Sequence, residues 1–388
     1  MSKATLTTDQ RALRAVSVQF LINGAVAASY IPRLPEIRNA LDVDLVTIGQ
    51  IITLASLGGL LGSAIAGRVM RTLSTRSAMI FGTLGLIACL PAIGLASTTT
   101  ALLLIIAMIS LLDVVVDVAM NIQGSNLSAR RATPVMSRLH GLWSIGSVLG
   151  GLIAAGMAAV AVPLLWHLAG AAVLMAIGLW YVGGGLLASD DAEVHPDNPN
   201  ASVSTQSATP IGLWVFFILG GVAFVPEMIG SDWAPFRLSD DLQATPGAAG
   251  LAYVAFTVGM VTGRLSGDSL AVRLGKKRMF EVAVLLAISG LSVACLVNST
   301  PLIYMGLTLA GLGISVFFPS IYDAAAQDKR HKGNALGAMT AGSRAVMLVA
   351  PIGVGLLADS PHFSVGMAMA LIAIPCLLVL AYLMRRAA

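Results

Sequence analysis

The sequence predicts an all-α membrane protein, with twelve transmembrane helices in two pseudo-symmetric six-helix bundles. Three observations carry that prediction. The 388 residues are 57% hydrophobic and only 11% charged, whereas a soluble domain holds about 25% charged residues. Twelve apolar runs recur, each near the roughly 20 residues that a bilayer-crossing helix needs. The two halves of the chain also repeat one another.

The runs lie at 12–34, 45–70, 77–97, 100–126, 134–162 and 164–187, then at 211–236, 246–272, 277–298, 301–326, 334–358 and 362–385. Helices are expected because lipid leaves no partner for an open backbone group. Nothing alternates with the roughly ten-residue strand pattern of a membrane barrel. Lys3, Arg11 and Arg14 ahead of an apolar run containing "AVAAS" imitate a signal peptide, but the many equal spans that follow make this the first membrane helix. Between the sixth and seventh runs, "SDDAEVHPDNPNASVSTQSATP" is polar, proline-containing and aperiodic, which reads as a linker. The expected domains are therefore 1–187, a linker at 188–210, and 211–388.

Lysine and arginine placement orients the chain. With both termini in the cytoplasm, 20 of the 23 basic residues fall inside, and the outer loops keep only Arg33, Arg38 and Arg237. A bacterial inner membrane is the expected location, with a cytoplasmic linker. The pI of 9.1 does not indicate nucleic acid, since the basic residues are scattered through short loops. Cys89, Cys295 and Cys376 lie in apolar runs and suggest neither disulfides nor a metal site. No cofactor is implied.

The repeat is visible residue by residue. Gly58, Gly62 and Ala66 match Gly259, Gly263 and Gly267 at an offset of 201. Both are stripes of small residues at four-residue spacing, which let helices approach closely. "YIPRL" near the outer end of the first span echoes "WAPFRL" after the seventh, at an offset of about 203. A parallel repeat of this size is typical of two-bundle secondary transporters.

At "GRLSGDSLAVRLGKKR", 263–278, the chain resembles the major facilitator superfamily, whose signature loop has a D-R-x-G-R-R core. The resemblance covers essentially the whole sequence. The family's acid is replaced by Val272 here and by Arg71 in the degenerate first copy, "AGRVMRTLSTR". "DVAMNIQG", "MSRLHGLWSIGS" and "EMIGSDW" resemble a branch near the fucose–proton symporters, although the acid usual in that branch's first span is absent and Asn23 is the strongly polar residue there. The resemblance implies a central cavity lined by spans one, four, seven and ten.

Ionisable residues within membrane spans are functional candidates and are expected to face the bundle interior. Asp113, Asp117 and Asn121 are spaced i, i+4, i+8 and share one helix face. Asp113, Asp117, His140 and Glu227 are the proton-coupling candidates. A carboxylate beside an imidazole makes a relay, with a structural hydrogen bond between spans four and five as the alternative. Gln19, Asn23, Tyr30, Asn121, Glu227 and Trp233 are the substrate-binding candidates. For the span-one residues helix–helix hydrogen bonding is the alternative, and for Trp233 it is an interfacial anchor. Arg344 in span eleven aligns with His140 at an offset of about 204. An isolated arginine there is costly, so Asp323 is its expected partner, in a gate or a structural ion pair.

These readings point to a secondary transporter, not an enzyme, that takes up a small polar, sugar-like solute with protons by alternating access. Its partners would be solute, protons and lipid, and it would act as a monomer. Efflux of drugs or metabolites by proton antiport is the alternative, for which the 17 methionines leave room. No G-x-x-x-x-G-K-[ST], H-E-x-x-H or G-x-S-x-G motif is present.

Overall fold

In the computed structural model, residues 8–131, 135–187, 210–327 and 334–387 are described. The expected linker falls almost wholly outside them, and so does the side chain of Asp323. Every regular element among them is helical.

Helix α1 (Thr8–Tyr30) continues through a 3-10 turn into α2 (Leu34–Leu41). Then come α3 (Leu45–Leu95), α4 (Thr99–Arg130), α5 (Met136–Ala159) and α6 (Leu164–Gly183). The second half holds α7 (Pro210–Met228), a short α8 (Ala234–Phe236), α9 (Pro246–Leu274), α10 (Lys276–Leu296) and α11 (Thr300–Ile314). It ends with α12 (Phe317–Gln327), α13 (Asn334–Met347), α14 (Ala350–Ala358) and α15 (Val365–Ala387). Eleven helical stretches among the described residues are long and apolar enough to cross a membrane. One of them, α3, is 51 residues long and is two helices meeting at Ser74, whose φ of 63° and ψ of 156° are not helical. The expected runs 45–70 and 77–97 lie on its two sides, which restores twelve spans.

The chain forms two compact units. One comprises Met1–Tyr30 and Leu54–Pro196, the other Ile31–Thr53 and Asp197–Ala388. The segment 31–53, read from sequence as part of the first bundle, is thus grouped with the second unit.

Glycine fixes the helix contacts that carry the site. In the first unit a methyl group on Gly58 would collide with the carbonyl of Ala107, and one on Gly62 would lie 2.6 Å from that of Leu111. In the second, Gly259 faces the carbonyl of Thr308, and a methyl on Gly263 would lie 2.7 Å from that of Leu312. Both partners of each pair differ by the same 201 residues, so the small-residue stripes press span two on span four and span eight on span ten in one register.

A second pair of contacts has a different offset. Gly24 and Gly146 sit against the carbonyls of Trp143 and Leu21, while Gly220 and Gly342 sit against those of Met339 and Phe217. Here every residue is displaced by 196. The offset of 204 expected for Arg344 and His140 is therefore corrected. At 196, Arg344 corresponds to Val148, about two turns along α5 from His140. The offset rises from 196 to 201 between spans seven and eight and returns to 196 between spans ten and eleven, where the chain from Leu312 to Met339 is five residues shorter than that from Leu111 to Trp143. Pro226 and Pro235 each remove a backbone donor, and wide π turns follow at Ile229–Trp233 and Arg237–Asp241.

The three arginines assigned to the outer loops are each matched by an acid. Arg33 pairs with Glu36 at 2.5 Å, Arg38 with Asp240, and Arg237 with Asp241 at 2.7 Å. Trp180 and Tyr181, at the end of α6, are 85% and 83% exposed, as suits a side chain at a membrane interface.

Candidate transport site

The small-residue stripe of α3 fixes α4, and α4 carries the acids. Asn23, from α1, donates through Nδ2 to Asp113 Oδ1 at 2.9 Å. Trp143, from α5, donates through Nε1 to Asn23 Oδ1 at 2.8 Å. An indole nitrogen can only donate, so the Asn23 carbonyl must face Trp143 and its amide group must face Asp113. The three side chains form one directed chain that presents a donor to the carboxylate.

Asp117 lies one turn further along α4 and within electrostatic reach of Asp113. Asn121 donates to its carboxylate at 3.1 Å and to its backbone carbonyl at 2.8 Å. His140 is the titratable group of α5 that interacts with Asp117, and its ring stands edge-on to Phe20 at 5.3 Å. The structure thus brings Asn23, Asp113, Asp117, Asn121 and His140 together in the first unit. Gln19 is instead 1% exposed and hydrogen-bonded to Thr83, an inter-helix tie between α1 and α3. Tyr30 is buried at the end of α1.

In the second unit, Glu227 accepts from Arg264 Nη2 at 3.2 Å. Both are partly open, with side-chain exposures of 27% and 40%. Ser231, one turn on, donates to Asp232 at 2.7 Å and to the Glu227 carbonyl at 3.0 Å. Trp233 is fully buried, tilted against Phe236 at 5.6 Å, and its Nε1 has no hydrogen-bond partner among the described residues. It is a core residue here, not an interfacial one. Arg344 has no ion pair among the described residues, and the expected Asp323 carboxylate lies outside them.

Two residues of the site escaped the sequence reading. Trp143 sits inside a quoted stretch, "MSRLHGLWSIGS", but nothing in the spacing pairs it with Asn23, 120 residues away. Arg264 opens the signature loop and reads as one more basic loop residue. Its position about two turns inside the apolar run 246–272 was the available signal. Gln123, the Gln of "NIQG", bonds Thr75 at 3.1 Å and Leu187 at 3.0 Å and ties one end of the first unit together.

Twelve spans in two like halves, with ionisable side chains set within the spans of each, define a multi-pass membrane protein with the fold of a secondary transporter. The comparisons agree. Residues 213–388 match the Major Facilitator Superfamily model. The uncharacterized transporter y4wD of Sinorhizobium fredii is 27% identical over 93% of this chain and 96% of its own length. An uncharacterized MFS-type transporter of Yersinia pestis is 26% identical over 89% of this chain and 88% of its own. The membrane protein MosC of Rhizobium meliloti is 26% identical over 81% of this chain and 75% of its own. Among solved structures, two of the nucleoside transporter NupG, one of them a mutant, superpose with TM-scores of 0.75 and 0.73 at 15% identity. They cover 97% of this chain and 99% and 98% of theirs.

Proposed function

We propose that the chain belongs as a whole to the major facilitator superfamily and couples the uptake of a small polar, sugar-like solute to protons by alternating access. The three stretches that resemble the fucose–proton symporters support that branch, and the likeness to NupG supports a solute of nucleoside or sugar size. Both termini and the linker are assigned to the cytoplasm, in a bacterial inner membrane. The split of lysine and arginine, 20 of 23 on the inner side, supports that orientation.

One observation carries the reading. Asp113 and Asp117 share a span with a histidine at hand, and Asn23 and Trp143 hold a donor on Asp113. A structural carboxylate would need only its partner. Two carboxylates one turn apart on one helix face repel when both are charged, which favours one proton shared between them. Asp117, partly open and beside His140, is the group that trades the proton. Asp113 and Asn23, with Glu227 in the other half, are the groups that meet solute hydroxyls. Proton occupancy and solute affinity then influence each other by the same factor.

A thermal-shift screen of purified protein against sugars, nucleosides, organic acids and cationic dyes identifies the solute, because a ligand of the native state raises apparent stability. Proteoliposomes with an imposed pH gradient then test coupling. Asp117→Asn is expected to abolish accumulation while solute exchange down its own gradient survives. Accumulation at the wild-type level would make the carboxylate structural. If cationic dyes alone stabilise the protein, proton-antiport efflux takes the place of uptake.

A further inference from the structure

The turn between α9 and α10 carries a feature that solute transport does not use. A cavity of about 680 Å³ opens there within the second unit, among α9, α10, α12 and the end of α15. Lys276 and Lys277 stand at its wall, both exposed, in the first turn of α10. Val272, Phe280 and Met384 supply apolar lining, and Val272 is 87% exposed. Glu281 is the acid among the described lining residues. Arg264 also borders the cavity, with its guanidinium on Glu227.

We propose that this cavity binds one acidic phospholipid, with the phosphate at Lys276 and Lys277 and an acyl chain along Val272, Phe280 and Met384. A free inorganic phosphate has no use for an apolar wall of this extent. A zwitterionic lipid gains nothing net from two adjacent lysines. A diacyl lipid with a net negative headgroup uses both. Each lysine near such a headgroup is worth about 1 kcal/mol. The geometry of the turn adds to them. Gly275, at φ 77°, turns the chain from α9 into α10 in a single residue. The N-terminus of α10 therefore lies beside the lysines, at the end of the helix that favours an anion. Glu281 stands about one turn deeper and suits a headgroup that carries hydroxyls to donate, as in phosphatidylglycerol. The site is independent of which solute is carried and of the direction of transport.

The test uses the full chain in detergent, titrated with short-chain phosphatidylglycerol, short-chain phosphatidylcholine or sodium phosphate, with thermal unfolding as readout. Phosphatidylglycerol is expected to raise the unfolding temperature in a saturable way, and the other two are not. The K276Q/K277Q double variant is expected to weaken the apparent affinity roughly thirtyfold. Its unfolding temperature without lipid should match the wild type. Val272→Glu, which places a carboxylate in the apolar wall, is expected to abolish the shift. An equal shift from phosphatidylcholine would overturn the proposal, as would the whole shift from sodium phosphate or an undiminished shift in the double variant.

Discussion

Ser74 and Gly275 stand 201 residues apart and share one backbone conformation. Ser74 has φ 63° and ψ 156°, and Gly275 has φ 77° and ψ 150°. Each joins the second span of its half to the third. The same offset relates the glycine contacts of α3 on α4 to those of α9 on α11, so what repeats is backbone geometry as well as residue type. Outside glycine this region of φ and ψ costs about 1–3 kcal/mol. Ser74 offsets part of that as a helix cap, its Oγ accepting from the Ser77 N–H at 3.4 Å.

Ser74→Gly is expected to stabilise the protein by about 1 kcal/mol, since it relieves the strain and loses only two long hydrogen bonds to Ser77. Gly275→Ala is expected to cost about 1–3 kcal/mol. No heavy atom lies within 4 Å of an added Cβ at Gly275, so that cost is conformational alone. Thermal unfolding in detergent measures both. A neutral Gly275→Ala would mean the turn is free to adopt another path.

Asp241 organises the end of span seven. It accepts from Arg237 at 2.7 Å and from the backbone N–H groups of Val365 and Gly366 at 3.0 and 2.8 Å, which opens α15. Arg237 is 2% exposed and also bonds Asn298 at 2.6 Å. Asp241→Ala leaves a buried guanidinium without its carboxylate, a loss of about 3–5 kcal/mol. The expected outcome is a sharp fall in folded yield and unfolding temperature. A loss under about 1 kcal/mol would show that Asn298 alone satisfies Arg237.

Much of this architecture was legible in the sequence because bilayers impose simple rules. Hydrophobic length gave the spans, and the Gly58–Gly62 and Gly259–Gly263 stripes marked the close contacts before their partners were known. What the sequence could not supply was which residue meets which across helices. The match of Arg344 to His140 failed because the chain from Leu312 to Met339 is five residues shorter than its counterpart from Leu111 to Trp143, which returns the offset from 201 to 196 before span eleven. Glu227 and Arg264 are 37 residues apart on different helices, a distance at which no periodicity pairs side chains. Helix face and polarity mark Gln19 as a solute ligand and the flat ring marks Trp233 for stacking, whereas both side chains are buried in this structure.

Acid should remove one local contribution. Asp44 accepts from the Thr47 N–H at 2.7 Å at the start of α3, and the Thr47 hydroxyl, then this backbone bond, hold its carboxyl below the usual value. A depressed carboxyl stabilises the fold above its unfolded pKa, about 3.9, and that contribution fades as pH falls through the folded value. Asp44→Asn keeps a capping acceptor and should flatten this part of the acid response between about pH 5 and pH 3. The effect is small, since Asp44 is exposed. An unchanged acid limb in the variant would remove the cap from the account.

The directed chain Trp143–Asn23–Asp113 predicts non-additive mutants. A hydrogen bond to a charged group is worth about 1.5–3 kcal/mol, so Asn23→Ala should slow transport tenfold or more. Trp143→Phe should cost less, because Asn23 remains but is free to rotate. With Asn23 gone, Trp143 has nothing to orient, so the double variant should match Asn23→Ala alone. Uptake rates of the four proteins in proteoliposomes give the answer. Additive losses would show that Trp143 acts on something other than Asn23.

The Glu227–Arg264 pair sets a contest between brace and site. As a brace it is weak, because both side chains are partly open and such pairs are worth about 1 kcal/mol or less. Placing it is expensive. Glu227 lies near the middle of the 30-residue span Gly212–Asp241, where a charged side chain costs about 2.5–3.5 kcal/mol. A pair that costs more to insert than it returns in stability is retained for what it does. Glu227→Gln, Arg264→Gln and the double variant should therefore all fold, the double variant at least as stable as the parent because both insertion costs are gone. Each single change should lower transport at least tenfold, and the double variant should not recover. Recovery in the double variant is the outcome that sinks this reading. It would mean that transport was lost only because one charge had been left alone in the span, and that neutral side chains serve equally well once both charges are gone.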